Sequence, residues 1–230
     1  MRTRPRYCNE AAFDLFADQV CDLDTEGALL RAAIAGAMHE MPEVDYRDSE
    51  NTVHGFADRV LARVQSDDST ALLAHAHSIL FEEEGFIGNI ENYHDPRNSY
   101  IPAVLESRRG NPVTLTLIYK EVLERLGLQV NGTNAPGHFM ATVWSEGHPM
   151  LVDTFTRGRV LTHTEAIGRI TELTGRTDLG SDALPIASNR DWIARILRNL
   201  IRQFGRSNER NSLAAVLELQ GLLDFRSRRG

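Results

Sequence analysis

The fold prediction rests first on residues 108–127, RRGNPVTLTLIYKEVLERLG. Asn111 can cap a helix there, and Pro112 suits the first helical position because the N–H that proline lacks would have no partner in the first turn. Apolar side chains then recur along one helix face at Leu115, Ile118, Tyr119, Val122 and Leu126. Gly127 follows the last of them, so the stretch predicts one helix over 112–126.

Beyond this helix the apolar pattern changes from a period of about 3.6 residues to one of about 2. Residues 138–144, HFMATVW, alternate, residues 145–148, SEGH, supply a turn, and residues 150–155, MLVDTF, return. This arrangement is typical of a β-hairpin. Residues 128–133 can add a further strand before it.

The hairpin predicts which side chains meet. If the turn centres on Glu146 and Gly147, Met140 lies opposite Asp153, and His138 and Asp153 become diagonal neighbours on one face. Such neighbours lie about 7–8 Å apart along the backbone, within reach of an imidazole and a carboxylate. The pair can serve as an oriented general base, or it can be a structural contact under a loop. A one-residue change of register would separate the two side chains.

Helical patterns occupy both ends of the chain. We expect a helical lead-in over residues 1–90, a core over 91–180 and a helix hairpin over 185–230, with a turn at 205–208. Residues 85–98, GFIGNIENYHDPRN, predict a loop, and a short helix follows over 100–108.

Composition indicates a soluble, cytoplasmic globular protein of 230 residues with a net charge of -7. Basic side chains outnumber acidic ones, 13 to 8, only beyond residue 156. Without interleaved aromatic residues this excess does not favour nucleic-acid binding. We expect Cys8 and Cys21 to be buried small side chains, and we expect no membrane span, no metal and no cofactor.

Three ordered motifs resemble those of a known family: RRGNPVTLTLIYKEVLERLG at 108–127, NAPGHF at 134–139 and VDTFTRGRVL at 152–161. Together with the loop YHDPRNS at 93–99 they resemble the bacterial SirB-type branch of the transglutaminase-like superfamily, over roughly residues 70–222. The resemblance implies an α+β fold with a transglutaminase-like or papain-like core, a helix packed on a small antiparallel sheet. It also implies tetratricopeptide-like helices after that core.

The resemblance also implies a site. The catalytic cysteine, histidine and aspartate of active members fall on Pro112, His138 and Asp153, so the nucleophile is replaced by proline. Thr114, Thr116 and the two cysteines are poor substitutes. Candidate ligand-binding residues around the implied cleft are Asn111, Thr114, Tyr93, Asn98, Arg109 and Asn134. Arg109 can bind an anionic group at the rim or form an exposed ion pair with Glu106.

Three functions remain open from sequence. The first is a cysteine-less binding protein whose cleft takes a peptide or small ligand and whose basic tail docks a protein partner. The second is a hydrolase or acyl-transfer enzyme in which His138 activates water and Asp153 orients the ring. The third is a helical scaffold in which the pair only holds the hairpin.

Overall fold

Four helices begin the fold of the computed structural model, which describes residues 4–227. They are α1 (Glu10–Gln19), α2 (Ala28–Ala35), α3 (Tyr46–Leu61) and α4 (Ser69–His77), and α4 continues into a π-helical turn, Ser78–Glu83. Side-chain oxygens of Asn9, Asp45 and Asp68 accept hydrogen bonds from the first N–H groups of α1, α3 and α4. These caps satisfy donors that a helix start leaves without partners.

A short parallel ribbon has one of its two strands inside the segment 85–98, which was predicted to be loop. Strands β1 (Ile87–Gly88) and β2 (Arg109–Gly110) pair in parallel, on either side of a 3₁₀ turn, Pro96–Ser99, and α5 (Ile101–Ser107). The close packing of Phe155 against this ribbon explains the glycine at 88, because a Cβ there would lie 2.3 Å from the Phe155 ring. Strands this short have no sequence period, so the pattern could not predict them.

Helix α6 (Pro112–Arg125) confirms the central prediction. The Thr114 N–H donates to Oδ1 of Asn111 at 3.0 Å, and the Asn111 amide donates to the Ser99 hydroxyl at 2.8 Å. Helix α6 packs both on α3 and on the strands that follow it. It is therefore the element around which the core forms.

Five strands form the main antiparallel sheet in the order β6-β5-β4-β3-β7: β3 (Gln129–Thr133), β4 (Met140–Ser145), β5 (His148–Asp153), β6 (Arg159–Leu161) and β7 (Ile186–Ala187). The predicted hairpin register is confirmed, since Ala141 pairs with Val152 and Ser145 with His148. Glu146 and Gly147 adopt φ values of 51° and 80°, as a tight hairpin turn of the primed type requires.

Three further helices complete the described chain: α7 (His163–Thr174), α8 (Asn189–Ser207) and α9 (Arg210–Ser227). Helix α7 was not predicted, although Thr162 and Glu165 form a reciprocal capping box at its start. Helices α8 and α9 confirm the C-terminal hairpin, but its turn lies later than predicted, at Asn208, and Gly205 is still inside α8. Sheet and helices together make the fold α+β.

The cysteine prediction is half wrong. Cys8 is buried just before α1, whereas Cys21 is exposed after α1 ends, because its short segment runs along the surface. In residues 4–227, no helix combines the length and the apolar character that crossing a bilayer would require.

Candidate functional site

His138 is placed by a tight turn ahead of β4. Its N–H donates to the carbonyl of Ala135 at 3.2 Å, and Gly137 between them has a φ of 70°. A Cβ at this glycine would also come within 3.0 Å of Thr174. The turn therefore needs glycine at 137, and it delivers the imidazole to a position where only 3% of the residue is exposed.

Asp153 ends the neighbouring strand β5 and faces His138. Its Oδ1 lies 3.0 Å from Nε2 of His138, and both side chains are almost fully buried. The two atoms are close enough for an ion pair, but Nε2 is not oriented for an aligned hydrogen bond to that oxygen. Oδ1 also accepts the N–H of Phe155 at 3.0 Å.

The surroundings of Asp153 stabilise its ionised form. Burial opposes ionisation, but the adjacent His138, the Thr156 hydroxyl and the Phe155 N–H together outweigh it, so the pKa of Asp153 lies below its ordinary value of 3.8. Nδ1 of His138 takes part in no hydrogen bond with any residue among 4–227. That nitrogen is the one available to a molecule beside the ring.

Helix α6 is held against this pair by its second turn. The hydroxyl of Thr116 lies 2.8 Å from that of Thr154, the residue after Asp153, and both threonines are buried. This contact fixes the start of α6 relative to the end of β5. Pro112 has no N–H, and the Val113 N–H has no hydrogen-bond partner within residues 4–227, so this helix start has a free donor.

A cleft of about 200 Å³ lies between Pro112 and His138. Its walls come from the loop after β1, the start of α6, the turn before β4 and one face of α8: Tyr93, Pro112, Val113, Gly137, His138, Phe139, Arg195, Arg198, Asn199 and Arg202. Asp153 does not line it and lies behind the imidazole. The volume is below the about 300–1,000 Å³ of drug-sized sites, so the cleft has room for one side chain or chain end.

Helix α8 reaches this cleft because Trp192 anchors it. The indole N–H donates to the carbonyl of Val113 at 3.2 Å, and the ring packs on Phe139 with the centroids 4.8 Å apart. The arginines of the cleft, Arg195, Arg198 and Arg202, follow about one, two and three turns further along α8. One of them, Arg195, donates to Oδ1 of Asn134 at 2.6 Å.

The predicted ligand-binding residues divide into two groups. Tyr93 lines the cleft with 42% of its surface exposed, and Asn134 adjoins it through Arg195. Asn111 and Thr114 are buried in the cap of α6, and neither lines the cleft.

Asn98 and Arg109 also lie away from the cleft. The Asn98 amide donates to the carbonyls of Asn92 and Tyr93 and so shapes the loop that carries Tyr93. Arg109 belongs to strand β2, which pairs with β1, and it is not among the residues that line the cleft.

Sequence reasoning missed the residues of α8 that line the cleft. Arg195, Arg198 and Arg202 recur at helical spacing opposite the apolar stripe that includes Trp192, so the sequence held a signal. Taken alone, that spacing indicates only a basic tail surface, because nothing local shows that α8 folds back onto α6. Within residues 4–227, no group of three or more His, Cys, Asp or Glu side chains could hold a metal ion.

Chemically, the site offers an oriented imidazole, a helix start and three cations around a small cleft. No cysteine lies among the residues that line it. The arrangement can bind a ligand or accept a proton from one, but it contains no thiol for acyl transfer.

Comparison with known proteins places these features in a family. A family model described as the transglutaminase-like superfamily matches residues 47–198, from α3 into α8. A UPF0162 protein of Xylella fastidiosa is 32% identical over 190 residues, which cover 78% of this chain and 66% of the relative. A UPF0162 protein of Pseudomonas aeruginosa is 30% identical, over 69% of this chain and 58% of its own.

A more distant relative is the F-box only protein 21 of Mus musculus, which is 24% identical over 70% of this chain but 25% of its own length. The chain thus spans less than two thirds of these curated relatives. No solved structure matches it significantly. The family match over most of the fold, with the His138–Asp153 pair beside the start of α6, supports one conclusion: the chain belongs to the transglutaminase-like superfamily.

Proposed function

We propose that this protein is a cysteine-less transglutaminase-like protein of the SirB-type branch that binds a peptide or small ligand in the cleft at His138. The observation that carries the proposal is the solvent-reachable cleft between the start of α6 and the imidazole. A site retained only as a structural contact would be filled by side chains, and this one is open. The UPF0162 relatives are compatible with the branch assignment.

Pro112 favours binding over covalent catalysis. At the position where active members of the superfamily carry cysteine, this chain has a proline. Proline has neither a nucleophilic side chain nor a backbone N–H. The cleft volume suits one side chain or chain end of a longer ligand, whose remainder would lie across α8 and the loop of Tyr93. A peptide with its end inserted in the cleft fits these dimensions.

Peptide selection with a cleft-filling variant tests this function. We would select binders of the wild-type protein from a random-peptide phage library and measure the affinity of the resulting synthetic peptides by calorimetry. Asn199→Phe places a ring in the cleft, so we expect it to abolish binding of the selected peptides. Asn51→Phe, at an exposed position of α3 away from the cleft, serves as the control. Equal affinities for all three proteins would remove the proposal.

Hydrolysis without a cysteine is a second candidate, favoured by the state of the imidazole. Nδ1 of His138 has no protein partner within residues 4–227 and the carboxylate of Asp153 lies behind the ring, as a general base acting on water requires. Turnover of p-nitrophenyl esters that disappears in His138→Ala would support it. Identical rates in both proteins would exclude this chemistry for that substrate class.

A further inference from the structure

The rim of the cleft carries an unusual concentration of unneutralised positive charge. Arg195, Arg198 and Arg202 line it from one face of α8, and no acidic side chain is among the lining residues. Within residues 4–227 none of the three forms an ion pair with a carboxylate. By contrast, several arginines elsewhere do have carboxylate partners, as Arg31 has in Glu50 and Arg108 in Glu84.

These cations repel one another in the absence of a ligand. Arg195 is partly buried, and burial together with the charges of Arg198 and Arg202 lowers its pKa. Asn134 and the carbonyl of Ala135 accept hydrogen bonds from Arg195, at 2.6 and 3.5 Å, but they are neutral and cannot cancel its charge. Arg195 is thus held at the cleft by neutral acceptors, and its charge has no carboxylate partner within residues 4–227.

The start of α6 adds to this field from the opposite wall. The helix dipole and the free N–H of Val113 favour a negative group there, independently of the arginines. Helix α8 is pinned to the same residue by Trp192, so the two positive features keep their relative position. Guanidinium groups and helix N–H groups are both standard partners of oxygen anions.

We propose that the cleft recognises an oxyanion group, a carboxylate or a phosphate, on its ligand, held between the start of α6 and Arg195, Arg198 and Arg202. This assignment rests on the proposed binding function and names the chemical class of the group that enters the cleft. The carboxylate at the end of a peptide and a phosphate share the chemistry that these donors recognise. No bond is made or broken in this step.

Titration with two simple probes tests the assignment and distinguishes the sources. Inorganic phosphate and N-acetylglycine, with N-acetylglycinamide as the uncharged control, would be added at low ionic strength while ¹H–¹⁵N spectra are recorded. We expect phosphate or N-acetylglycine to shift the backbone N–H signals of Val113 and His138. The uncharged N-acetylglycinamide should leave these signals unchanged. If neither anion moves these signals, the assignment is wrong.

Charge-removing variants on α8 provide the second arm. Arg198→Gln combined with Arg202→Gln should weaken binding of the effective anion about tenfold or more, because charged hydrogen bonds are lost. Arg206→Gln, on the same helix but outside the cleft, should change the affinity for that anion less than about twofold. Arg198, Arg202 and Arg206 are exposed, so each variant should fold, and its melting temperature checks this.

The two proposals can fail separately. If selected peptides lose affinity in Asn199→Phe but keep it in the double arginine variant, the oxyanion assignment is wrong and the binding function stands. If Asn199→Phe binds the selected peptides normally, the cleft is not the peptide site and the binding function fails. In that case the anion titration still decides whether the cleft takes an oxyanion.

Discussion

His138 and Asp153 depend on each other because both are buried and their polar atoms lie 3.0 Å apart. His138→Ala leaves the carboxylate with the Phe155 N–H and almost no access to water. We expect the free energy of unfolding, measured by urea denaturation near neutral pH, to fall by about 1–3 kcal/mol. The double variant with Asp153→Asn should lose less than the two single losses added together. Strict additivity would show that the two side chains do not interact.

Pro112 allows a test of the site geometry with a new thiol. In a Cys21→Ser background, which removes the exposed cysteine, Pro112→Cys places sulfur at a helix start near an imidazole, and both favour thiolate. We expect iodoacetamide to alkylate this thiol faster near neutral pH than an unperturbed cysteine, and more slowly once His138→Ala is added. Cys8 should not interfere, because burial and Glu218 raise the pKa of its thiol to about 12. Equal rates with and without His138 would contradict the geometry.

One indole hydrogen bond helps to hold helix α8 against α6, and the two tryptophans of the chain make a matched pair. Trp192 donates to Val113, whereas the buried indole N–H of Trp144 has no hydrogen-bond partner within residues 4–227. Trp192→Phe should lower the free energy of unfolding by about 1 kcal/mol or more and weaken anion binding in the cleft. Trp144→Phe should be neutral or stabilising, because it removes an unpaired buried donor. Thermal denaturation of both variants checks the contrast, and the reverse order of stability would refute this account of α8.

Two partly buried groups affect the acid stability of the molecule in opposite directions. Burial lowers the pKa of His77 to about 4, so acidification favours the unfolded chain, which takes up the proton first. Burial raises the pKa of Glu121 to about 7, so the folded chain takes up that proton first and gains stability as the pH falls towards 4.5. Between about pH 6.5 and 4.5 the two effects oppose each other.

Variants separate these two contributions. Relative to wild type, His77→Gln should become more stable on acidification through this window, and Glu121→Gln should become less stable, each by about 1–3 kcal/mol. Urea denaturation at a series of pH values measures both. If both variants follow the wild-type pH dependence, the buried environments of these groups are not as described.

The sequence of this protein predicted α6 and the β4–β5 hairpin because both depend on near neighbours. The cap at Asn111, the proline after it and the apolar spacing that follows specify α6 through contacts within a few residues. The turn at Glu146 and Gly147 sets the register of β4 and β5, and with it the meeting of His138 and Asp153. Local spacing alone is therefore enough to pair those two side chains.

The rest of the site comes from contacts between residues far apart in the chain. Trp192 reaches Val113 across 79 positions and brings the arginines of α8 to the cleft, whereas Arg109, in β2, does not line it. Local periodicity shows which face of α8 is polar but not which element that face meets. That depends on how α6, the sheet and α8 fill one shared core, because the burial of distant apolar side chains is satisfied only by the fold as a whole.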